Sequence, residues 1–458
     1  MIKLSLLNSL LSQDFESSEW LKYSTDSRTY TDEFVFFAIT GEKFNAVENL
    51  DFVLKNNCPV VIYTQNSKNT EVIEKLKNEN KITHFIAVED TIKSIQELAT
   101  MHIEYFKSKD VPIIAISGSN GKTTHKEMLG HILTNILGEE SVVITQKNNN
   151  NHLGVPFTIL QNDENTKAFI IELGSNHPGE IKVLCEIAKP NYGITTNIGS
   201  THLEFFIDEE AVFKEEAYLH EYLKQKRGKV FLINSEDRFL KSLDKFSGAL
   251  TYGMSEGQEV SFSQSGNRIY FKSGEEFSNE NIFGDYNFYN LAGAVILARL
   301  ILPNSQKEIF KFASSFRPTF NRAQWVKHLD YKILMDAYNA NPSSMKASLS
   351  SFQKYFKSNN LEMTSSVIIL GSMNELGPNG PEMHRDLAKF VDSLGFNRII
   401  CVGHSADLYL EEISKTSAFK IDTLSSELDK VKTLLKSGDY IFLKGSRSLQ
   451  LESILDIT

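Results

Sequence analysis

The chain carries, between residues 114 and 128, a glycine-rich turn of a kind that could bind phosphate. Glycines let the backbone turn tightly and approach an anion closely, and the N–H groups at the start of a following helix point toward that anion. A lysine adds positive charge for the outer phosphates, and a threonine hydroxyl is a ligand that Mg²⁺ accepts. The sequence therefore predicts a phosphate-binding loop made of Gly118, Ser119, Asn120, Gly121, Lys122, Thr123 and Thr124.

The spacing of this loop departs from the usual nucleotide loop. Only two residues separate Gly118 from Gly121, whereas the usual loop has four residues between its first glycine and the Gly-Lys pair. A plain strand-to-helix turn is the alternative. The strand-like run VPIIAIS before the loop, the Lys-Thr-Thr triplet and the helical run HKEMLGHILTNIL after it together favour a phosphate site.

Length and composition limit the possible classes of protein. A chain of 458 residues corresponds to about three domains at roughly 150 residues each. With 41% hydrophobic and 23% charged residues the composition is that of a globular protein. The net charge of −10 argues against a broad nucleic-acid surface, which requires a basic face, but still allows a local pocket for a small anion.

Neither the N-terminus nor the cysteines indicate an extracellular or membrane protein. No apolar run approaches the ~18 residues needed to span a bilayer, and no small-residue cleavage site follows the short apolar patch at the N-terminus. Cys58, Cys185 and Cys401 lie far apart and match no metal-binding spacing. We therefore expect three reduced thiols in a cytoplasmic protein without stable membrane association.

Strand-like and helical runs alternate along the chain, which predicts an α/β fold with parallel, doubly wound sheets. The pattern of strand-like and helical runs changes near residues 107 and 315. We expect three domains, over 1–107, 108–315 and 316–458. In such folds ligands bind at the carboxyl ends of the strands, where this chain has turns rich in Gly, Asn and Ser.

The shortened loop, Gly-x-x-Gly-Lys-Thr-Thr, resembles the nucleotide loop of the Mur ligase family. The resemblance continues over nearly the whole chain, because six further segments follow in the family's order: NNNNHLGVPFTIL (148–160), IELGSNHPGEI (171–181), TTNIGSTHLE (195–204), YNANPSSM (338–345), LGSMNELG (370–377) and KGSR (444–447). The number and order of these segments make the family resemblance specific.

The resemblance implies an enzyme that uses ATP and Mg²⁺ to join an amine to a carboxylate. It also implies that 1–107 is an N-terminal domain that binds the UDP-linked substrate, 108–315 a central ATP-binding domain and 316–458 a C-terminal Rossmann-like domain. In the family the carboxylate attacks the γ-phosphate of ATP, and the amine then attacks the resulting acyl phosphate. Residues 171–181 and 338–345 are most similar to the member that adds D-alanyl-D-alanine to a UDP-muramoyl-tripeptide in peptidoglycan precursor synthesis. We expect these two compounds as substrates and the protein to be a monomer.

Two residues are candidates for metal binding. Glu172 ends the apolar run AFIIE, and a carboxylate at the end of a strand beside the loop could hold Mg²⁺; the alternative is a solvated glutamate. A lone histidine such as His202 is more often structural. The resemblance implies one metal ion between Glu172 and Thr123, and a second metal ion bound by His202.

The chain departs from the family after His202. Relatives carry, about fourteen residues later, a lysine that becomes a carbamate and assists the second metal ion; here that position is Glu216. The segment 209–224 is predicted to be helical, and one stripe of this helix is Val212, Glu216, Leu219 and Leu223. Lys214 lies about 200° around the helix from Glu216. We expect Glu216 to face inward and supply the anion; the alternative is a shifted register in which Lys214 serves.

A second departure lies just after His202. The family's Gly-Phe-Gly-Ser is replaced by FFIDEE, which predicts a loop that is built differently.

Further residues match family positions near ATP. Asn287 and Asn290 in GDYNFYN are one helical turn apart and could share a face toward adenine, or simply cap a helix. The resemblance implies that Arg322 reaches the phosphates and that Asp336 lies near the ribose, although Met335 stands where most relatives have a second aspartate.

The remaining candidates concern the two substrates. Arginine pairs well with phosphate oxygens, and the TDSR segment matches the family's uridine-nucleotide segment, together with a glycine-containing loop at 36–46. The other segments match positions beside the growing peptide and the incoming dipeptide, although 339–342 could be only a turn. The predicted substrate residues are Ser27, Arg28, Asn150, Asn151, Tyr338, Asn339, Asn341, Lys444 and Arg447.

Three alternatives remain open. The first is a divergent ligase that couples another amino acid or peptide, favoured by Glu216, Ala337 and the replaced Gly-Phe-Gly-Ser. The second is an ATPase that uses hydrolysis as a conformational switch. The third is a nucleotide-binding scaffold without turnover. A requirement for both a carboxylate and an amine would separate ligases from the other two.

Overall fold

The computed structural model describes residues 1–28, 30, 34–41, 44–80, 82–226 and 228–457. The chain divides into two compact units. Unit 1 comprises residues 1–115, 137–174 and 180–192, and unit 2 comprises residues 116–136, 175–179 and 193 to the end of the chain.

Strands and helices alternate along most of the chain, as the sequence predicts. The strands are β1 (Ile2–Lys3), β2 (Trp20–Leu21), β3 (Tyr23–Ser24), β4 (Val35–Ala38), β5 (Val60–Thr64), β6 (His84–Val88), β7 (Ile113–Ser117), β8 (Val142–Ile144), β9 (Ala168–Glu172), β10 (Tyr192–Thr195), β11 (Val230–Asn234), β12 (Ala249–Gly253), β13 (Val260–Ser265), β14 (Arg268–Phe271), β15 (Glu276–Ser278), β16 (Gln324–His328), β17 (Tyr331–Met335), β18 (Ser366–Gly371), β19 (Arg398–Val402), β20 (Ser417–Ile421) and β21 (Tyr440–Lys444). The helices are α1 (Leu4–Leu11), α2 (Asp51–Lys55), α3 (Ser67–Glu79), α4 (Thr91–Lys107), α5 (Lys122–Leu137), α6 (Gly154–Ile159), α7 (Glu180–Ala188), α8 (Leu203–Phe206), α9 (Glu209–Glu216), α10 (Tyr218–Lys224), α11 (Asp285–Ile301), α12 (Gln306–Ser315), α13 (Pro342–Ser358), α14 (Gly380–Ser393), α15 (Ala406–Leu410) and α16 (Leu428–Leu434).

Unit 1 contains a four-stranded parallel sheet in the order β3-β4-β5-β6. The runs EFVFFAI, PVVIY and HFIAV supply three of its strands, as predicted, and every residue of β4 is buried. Helix α4 begins after Asp90, whose carboxylate accepts the N–H groups of Ile92 and Lys93. This N-cap satisfies backbone donors that the first helical turn leaves unpaired.

The C-terminal part of unit 2 contains a six-stranded sheet in the order β16-β17-β21-β18-β19-β20. Only β16 runs antiparallel to its neighbour. Ile333 and Leu334 of β17 belong to two separate hydrophobic clusters, one on each face of the sheet. Because both faces are covered, successive residues of the strands are apolar, which explains the continuous apolar runs that predicted a doubly wound fold.

The central part of unit 2 adds a feature that the sequence did not reveal. Strands β11, β12 and β13 are parallel, but β14 and β15 continue this sheet in antiparallel fashion. The sequence of β13, VSFSQS, has one buried hydrophobic residue, Phe262, so its periodicity is weak. Helix α11 packs beside these strands and is buried on almost all sides between Leu291 and Ala298.

The three cysteines are free and buried, as expected. Over the described part of the chain, no helix combines the length and the apolar character that crossing a bilayer requires.

Candidate active site

The predicted phosphate loop joins β7 to α5, which begins at Lys122. Gly118 has a φ of 122°, and a Cβ there would overlap the hydroxyl oxygen of Thr196. Gly121 has a φ of 80°, and a Cβ there would lie 2.8 Å from the side-chain nitrogen of Asn290. Both positions require glycine, because the backbone conformation and the close neighbours exclude a side chain.

Hydrogen bonds fix the loop to the segment that follows β10. The N–H of Ser119 donates to the carbonyl of Asn197 over 2.9 Å, and the N–H of Asn120 donates to the Asn197 side chain over 3.1 Å. Lys122 Nζ donates to the carbonyl of Gly118, so the ammonium group lies over the loop itself. The positive charge is therefore held where the loop would receive phosphate oxygens.

Glu216 faces this loop, as the helical stripe predicted, whereas Lys214 is exposed. The Glu216 side chain is buried, and its Oε2 accepts the N–H of Gly118 over 2.7 Å. Burial raises the pKa of Glu216 above its ordinary value, although the Lys122 ammonium and the Gly118 N–H oppose that shift. The structure thus brings a carboxyl group, and no lysine of this helix, to the phosphate loop.

The single helix expected over 209–224 is wrong in detail, since the segment forms α9 and α10 with a break at Ala217. The carbonyl of Glu216 accepts the hydroxyl groups of Ser117 and Thr195, over 3.2 and 3.4 Å. These bonds draw that carbonyl away from the helical hydrogen-bond pattern, which gives a physical reason for the break.

Glu215 is a buried residue that the sequence analysis missed. Its carboxylate accepts the Ser175 hydroxyl over 3.1 Å and the Gly179 N–H over 2.6 Å. Glu215 therefore anchors the start of the segment SNHPG, at 175–179. The two adjacent glutamates in the sequence could have drawn attention to Glu215. In one uninterrupted helix, however, Glu215 lies off the buried stripe that contains Glu216.

His202 lies after β10 and has a φ of 51°, in the left-handed region. Its Nδ1 lies 2.7 Å from Oε2 of Glu375, in the loop after β18. His202 and Glu216 both lie in unit 2, and their roles at a metal ion stay predictions.

Glu172 lies in unit 1 at the end of β9, and its side chain is buried. Its Oε1 accepts the Asn150 amide over 3.0 Å, and its backbone N–H donates to the Thr145 hydroxyl over 3.0 Å. The Asn151 side chain accepts the N–H of Gly154, the first residue of α6, over 2.9 Å. The asparagine-rich run is thus an ordered turn, with Asn150 directed at the predicted metal ligand.

The candidate metal ligands suit a metal ion that is bound partly by phosphate oxygens. Among the residues that the structure describes, no three His, Cys, Asp or Glu side chains form a ready-made metal site. Mg²⁺ is bound in nucleotide enzymes by one or two carboxylates, water and substrate phosphates, and not by all-protein cages. In unit 2, Thr123 offers a hydroxyl, Glu216 a carboxylate and His202 an imidazole; Glu172 offers a carboxylate in unit 1.

The two asparagines predicted near adenine lie on one face of α11 and are buried. Asn290 lies against Gly121 of the loop, and Asn287 donates to the carbonyl of Phe283 over 2.9 Å. Arg322 is stacked on the ring of Tyr338, with its guanidinium carbon 3.8 Å from the ring centroid. The loop and α11 are therefore in contact at the position where a nucleotide would enter.

Asp336 and Lys444, predicted to contact different ligands, form a partly buried ion pair of 2.7 Å. Lys444 also donates to the carbonyl of Asn339 over 3.1 Å, and Asp336 accepts the Ser348 hydroxyl over 2.8 Å. The pair joins the ends of β17 and β21. Arg447 is paired with Glu452 near the surface.

Asn341 is the N-cap of α13, where its side chain accepts the N–H of Ser344. Its amide also donates to the side chain of Asn120 in the phosphate loop, over 2.6 Å. Asn341 is buried, and both its side-chain oxygen and its side-chain nitrogen have hydrogen-bond partners. It therefore caps α13 and also binds the phosphate loop.

Unit 1 holds the segment predicted to bind the uridine nucleotide. Ser27 is buried, whereas Arg28 is exposed and paired with Asp26 over 2.7 Å. Glu42 and Lys43 of the accompanying loop lie outside the described residues. A cavity of about 410 Å³ opens beside this segment and is lined by Met1, Lys22, Tyr23, Ser24, Thr25, Asp26, Phe157, Leu160 and Gln161.

The parallel sheets and the glycine loop ahead of α5 define a nucleotide-binding α/β protein. The family model of the Mur ligase middle domain matches residues 116–298, and that of the Mur ligase glutamate ligase domain matches residues 321–447. The chain belongs to the Mur ligase family, and its fold is the family's three-domain α/β fold, with a central ATP-binding domain and a C-terminal Rossmann-like domain.

Curated relatives and solved structures cover nearly the whole chain. The UDP-N-acetylmuramoyl-tripeptide--D-alanyl-D-alanine ligase of Borreliella burgdorferi is 30% identical, over 95% of this chain and 93% of its own length. The enzyme of that name from Bacillus subtilis is 28% identical, over 94% and 92%. A crystal structure of MurF from Acinetobacter baumannii, 25% identical, superposes with a TM-score of 0.82 over 99% of this chain and 98% of that one.

Proposed function

We propose that this protein is an ATP-dependent ligase that joins D-alanyl-D-alanine to a UDP-muramoyl-tripeptide in peptidoglycan precursor synthesis. The observation that carries the proposal is the glycine loop with Lys122 above it and the carboxylate of Glu216 against it. The near full-length similarity to ligases of that name supports the choice of substrates.

Amide formation from a free carboxylate requires activation of that carboxylate. A carboxylate oxygen of the tripeptide attacks the γ-phosphorus of ATP, and the bond to the bridging oxygen breaks to release ADP. The amine of the dipeptide then attacks the acyl carbon, loses a proton, and expels inorganic phosphate. Catalysis of phosphoryl transfer depends mainly on positioning and on positive charge, which a loop with a lysine provides.

Different residues are proposed to bind the phosphates, position the nucleotide and hold the metal ion. The N–H groups of the loop and Lys122 hold the phosphates, and Asn287, Asn290, Arg322 and Asp336 are proposed to position the nucleotide. Thr123, Glu172, His202 and Glu216 would hold Mg²⁺, which when bound neutralises charge that develops on the phosphates. Asn150 orients Glu172 through the hydrogen bond between the two side chains.

We infer that the Glu216 carboxylate itself supplies the anion for which relatives use a carbamylated lysine. Its burial and its contact with Gly118 support this role. Lys214 lies on the exposed side of α9 and would have to turn the helix to reach the loop.

The remaining proposals concern the substrates and the domains. We propose that 1–107 binds the uridine nucleotide, through Ser27, Arg28 and the cavity beside them. Residues 108–315 would bind ATP, and 316–458 would bring the dipeptide, with contributions from Tyr338, Asn339, Asn341, Lys444 and Arg447. The protein would act as a monomer in the cytoplasm, where ATP and UDP-linked precursors are present.

A second candidate is a ligase of the same mechanism for another amine, and one observation favours it. The segment after His202 differs from the family pattern: Ile207 has a φ of 66° and is 81% exposed, and the ring of Phe205 lies 4.2 Å from that of His177. A β-branched residue rarely adopts this conformation. The segment beside His202 therefore has a strained backbone, and a different loop at this position is consistent with a different amine substrate.

A phosphate-release assay with product mass readout tests the proposal. Purified protein with ATP, Mg²⁺ and UDP-muramoyl-tripeptide is supplied in turn with D-alanyl-D-alanine, other dipeptides and single amino acids. We expect ADP, phosphate and a new amide only when D-alanyl-D-alanine is present, and no product with Lys122→Ala. An amide formed with another amine would establish the second candidate, and hydrolysis without either substrate would favour the ATPase switch.

A further inference from the structure

The segment LGSMNELG, at 370–377, has no task in the proposed function, yet it contacts the candidate metal ligand. It follows β18, and its Glu375 lies with Oε2 2.7 Å from Nδ1 of His202. In the sequence this segment is only one of the segments that match the family's order. Its position next to His202 calls for a functional explanation.

Both partners of this contact have unusual backbone conformations. His202 has a φ of 51° and Glu375 has a φ of 61°, in the left-handed region that residues other than glycine adopt infrequently. Such conformations persist where the surrounding structure enforces them, and they are concentrated at functional sites. Here two of them meet in one hydrogen-bonded pair.

The loop that presents Glu375 is held by several independent contacts. The N–H of Met373 donates to Nε2 of His384 over 3.0 Å, and the N–H of Asn374 donates to the Ser446 hydroxyl over 2.9 Å. Gly377 lies so close to the start of α8 that a Cβ there would be 3.0 Å from Cα of Glu204. These contacts fix the loop, which therefore holds the Glu375 carboxylate next to His202.

The contact has little value as a stabilising ion pair. The side chain of Glu375 is 56% exposed and that of His202 is 25% exposed. Exposed pairs contribute little to stability, because water screens the charges and side-chain entropy opposes the contact. Stability alone therefore gives no reason to keep two left-handed residues at this point.

Imidazole chemistry supplies the reason. In a neutral histidine one ring nitrogen carries the proton and the other carries a lone pair, and the partner of the first nitrogen decides the tautomer. A carboxylate accepts but does not donate, so Glu375 favours a proton on Nδ1. The lone pair is then on Nε2, the nitrogen that is left for a metal ion.

We propose that Glu375 is a positioning residue for His202: it fixes the ring and selects the tautomer in which Nε2 can bind the metal ion. The metal-binding part rests on the proposed function, whereas the choice of tautomer does not. Metal-bound histidines generally donate their other ring N–H to such a partner, and loss of the partner costs 10–100-fold in metal affinity or activity, as an order of magnitude.

Two measurements test the proposal. Ring ¹⁵N chemical shifts of His202 are recorded at pH 8.5 on metal-free protein labelled at histidine, and the signals are assigned by their loss in His202→Gln. Mn²⁺ affinity in the presence of ADP is measured by electron paramagnetic resonance of the free ion. The variants are Glu375→Ala, Glu375→Gln, which retains an acceptor oxygen, and Glu382→Gln, an exposed carboxylate on α14 as control.

We expect wild-type protein and Glu382→Gln to show a protonated Nδ1 and an unprotonated Nε2. Glu375→Ala should lose this tautomer and bind Mn²⁺ about 10–100-fold more weakly, with an unchanged melting temperature, and Glu375→Gln should keep the tautomer. Unchanged His202 signals in Glu375→Ala, or an equal change in Glu382→Gln, would overturn the proposal. A protein without ligase activity whose His202 tautomer still depends on Glu375 would refute the proposed function and leave the positioning role intact.

Discussion

Asn341, the N-cap of α13, donates a hydrogen bond of 2.6 Å to Asn120 in the phosphate loop. Asn120 in turn donates to the hydroxyl of Ser343, in the first turn of the same helix, over 3.1 Å. A short amide network therefore connects the loop that would bind ATP to the start of a helix in the C-terminal part of the chain. A change at Asn120 therefore removes hydrogen bonds at the start of α13.

The first prediction concerns this network. Asn341→Ser retains a capping hydroxyl but cannot reach Asn120, so it should weaken ADP binding by about 5-fold, the equivalent of one hydrogen bond. Titration calorimetry of ADP in the absence of any amine substrate measures the effect. Asn120→Ala combined with Asn341→Ser should cost less than the sum of the two single changes.

The control for this prediction is Asn339→Ala, because Asn339 is exposed two residues away. A role of Asn341 confined to the dipeptide would leave ADP binding of Asn341→Ser at the wild-type value, and that outcome contradicts the prediction.

The second prediction compares Glu216 with Lys214. Glu216→Gln removes the buried charge at Gly118 and should lower substrate-dependent phosphate release by about 10–100-fold. Lys214→Ala should retain wild-type activity, because this side chain is exposed. Added bicarbonate should not change the rate of the wild-type protein, since no lysine would need to be carbamylated. An inactive Lys214→Ala would show that the lysine, and not Glu216, provides the anion.

The third prediction concerns a buried ion pair in the C-terminal sheet. Arg398 and Asp439 have side chains only 8% and 3% exposed, and Arg398 also donates to the carbonyl of Leu434. Asp439→Asn leaves the guanidinium buried without its counter-charge, so the free energy of unfolding should fall by about 3–5 kcal/mol. Urea unfolding followed by circular dichroism measures the change.

The matched control is the exposed pair of Lys420 and Asp407. Asp407→Asn should cost no more than about 1 kcal/mol, because solvent screens this pair. If Asp439→Asn and Asp407→Asn lose the same free energy of unfolding, burial does not set the cost of breaking the pair.

The fourth prediction concerns acid stability. Burial lowers the pKa of His102 to about 3. A histidine in the unfolded chain has a pKa of about 6.5. Between these pH values the unfolded chain binds more protons than the folded chain, so stability falls as the pH drops below about 6.5. His102 should contribute a loss of about 1.4 kcal/mol per pH unit in that window.

His102→Gln retains an acceptor for the Lys3 N–H, which lies 3.2 Å from Nε2 of His102, but does not titrate. Urea midpoints at pH 7.5, 6 and 5 should therefore decline less steeply for this variant than for the wild type. His152→Gln, at an exposed position, should follow the wild-type curve. Parallel curves for all three proteins would show that His102 is not the group responsible.

Much of the architecture could be predicted from local pattern. The runs KILMDAY, SVIILGS and DYIFLKGS correspond to β17, β18 and β21, because strands buried on both faces must be apolar throughout. The antiparallel extension through β14 and β15 was missed, because short strands with a mixed sequence carry little periodic signal. The break between α9 and α10 was missed since it depends on hydroxyl groups from distant strands.

The sequence by itself determined the phosphate loop and the inward direction of Glu216, because glycine, lysine and the helical repeat act within a few residues of one another. Only the tertiary structure decided that Lys444 pairs with Asp336, that Asn341 reaches Asn120 and that Glu375 meets His202. Each of these contacts joins residues more than one hundred positions apart. Their geometry follows from the packing of sheets and loops, which local chemistry does not specify.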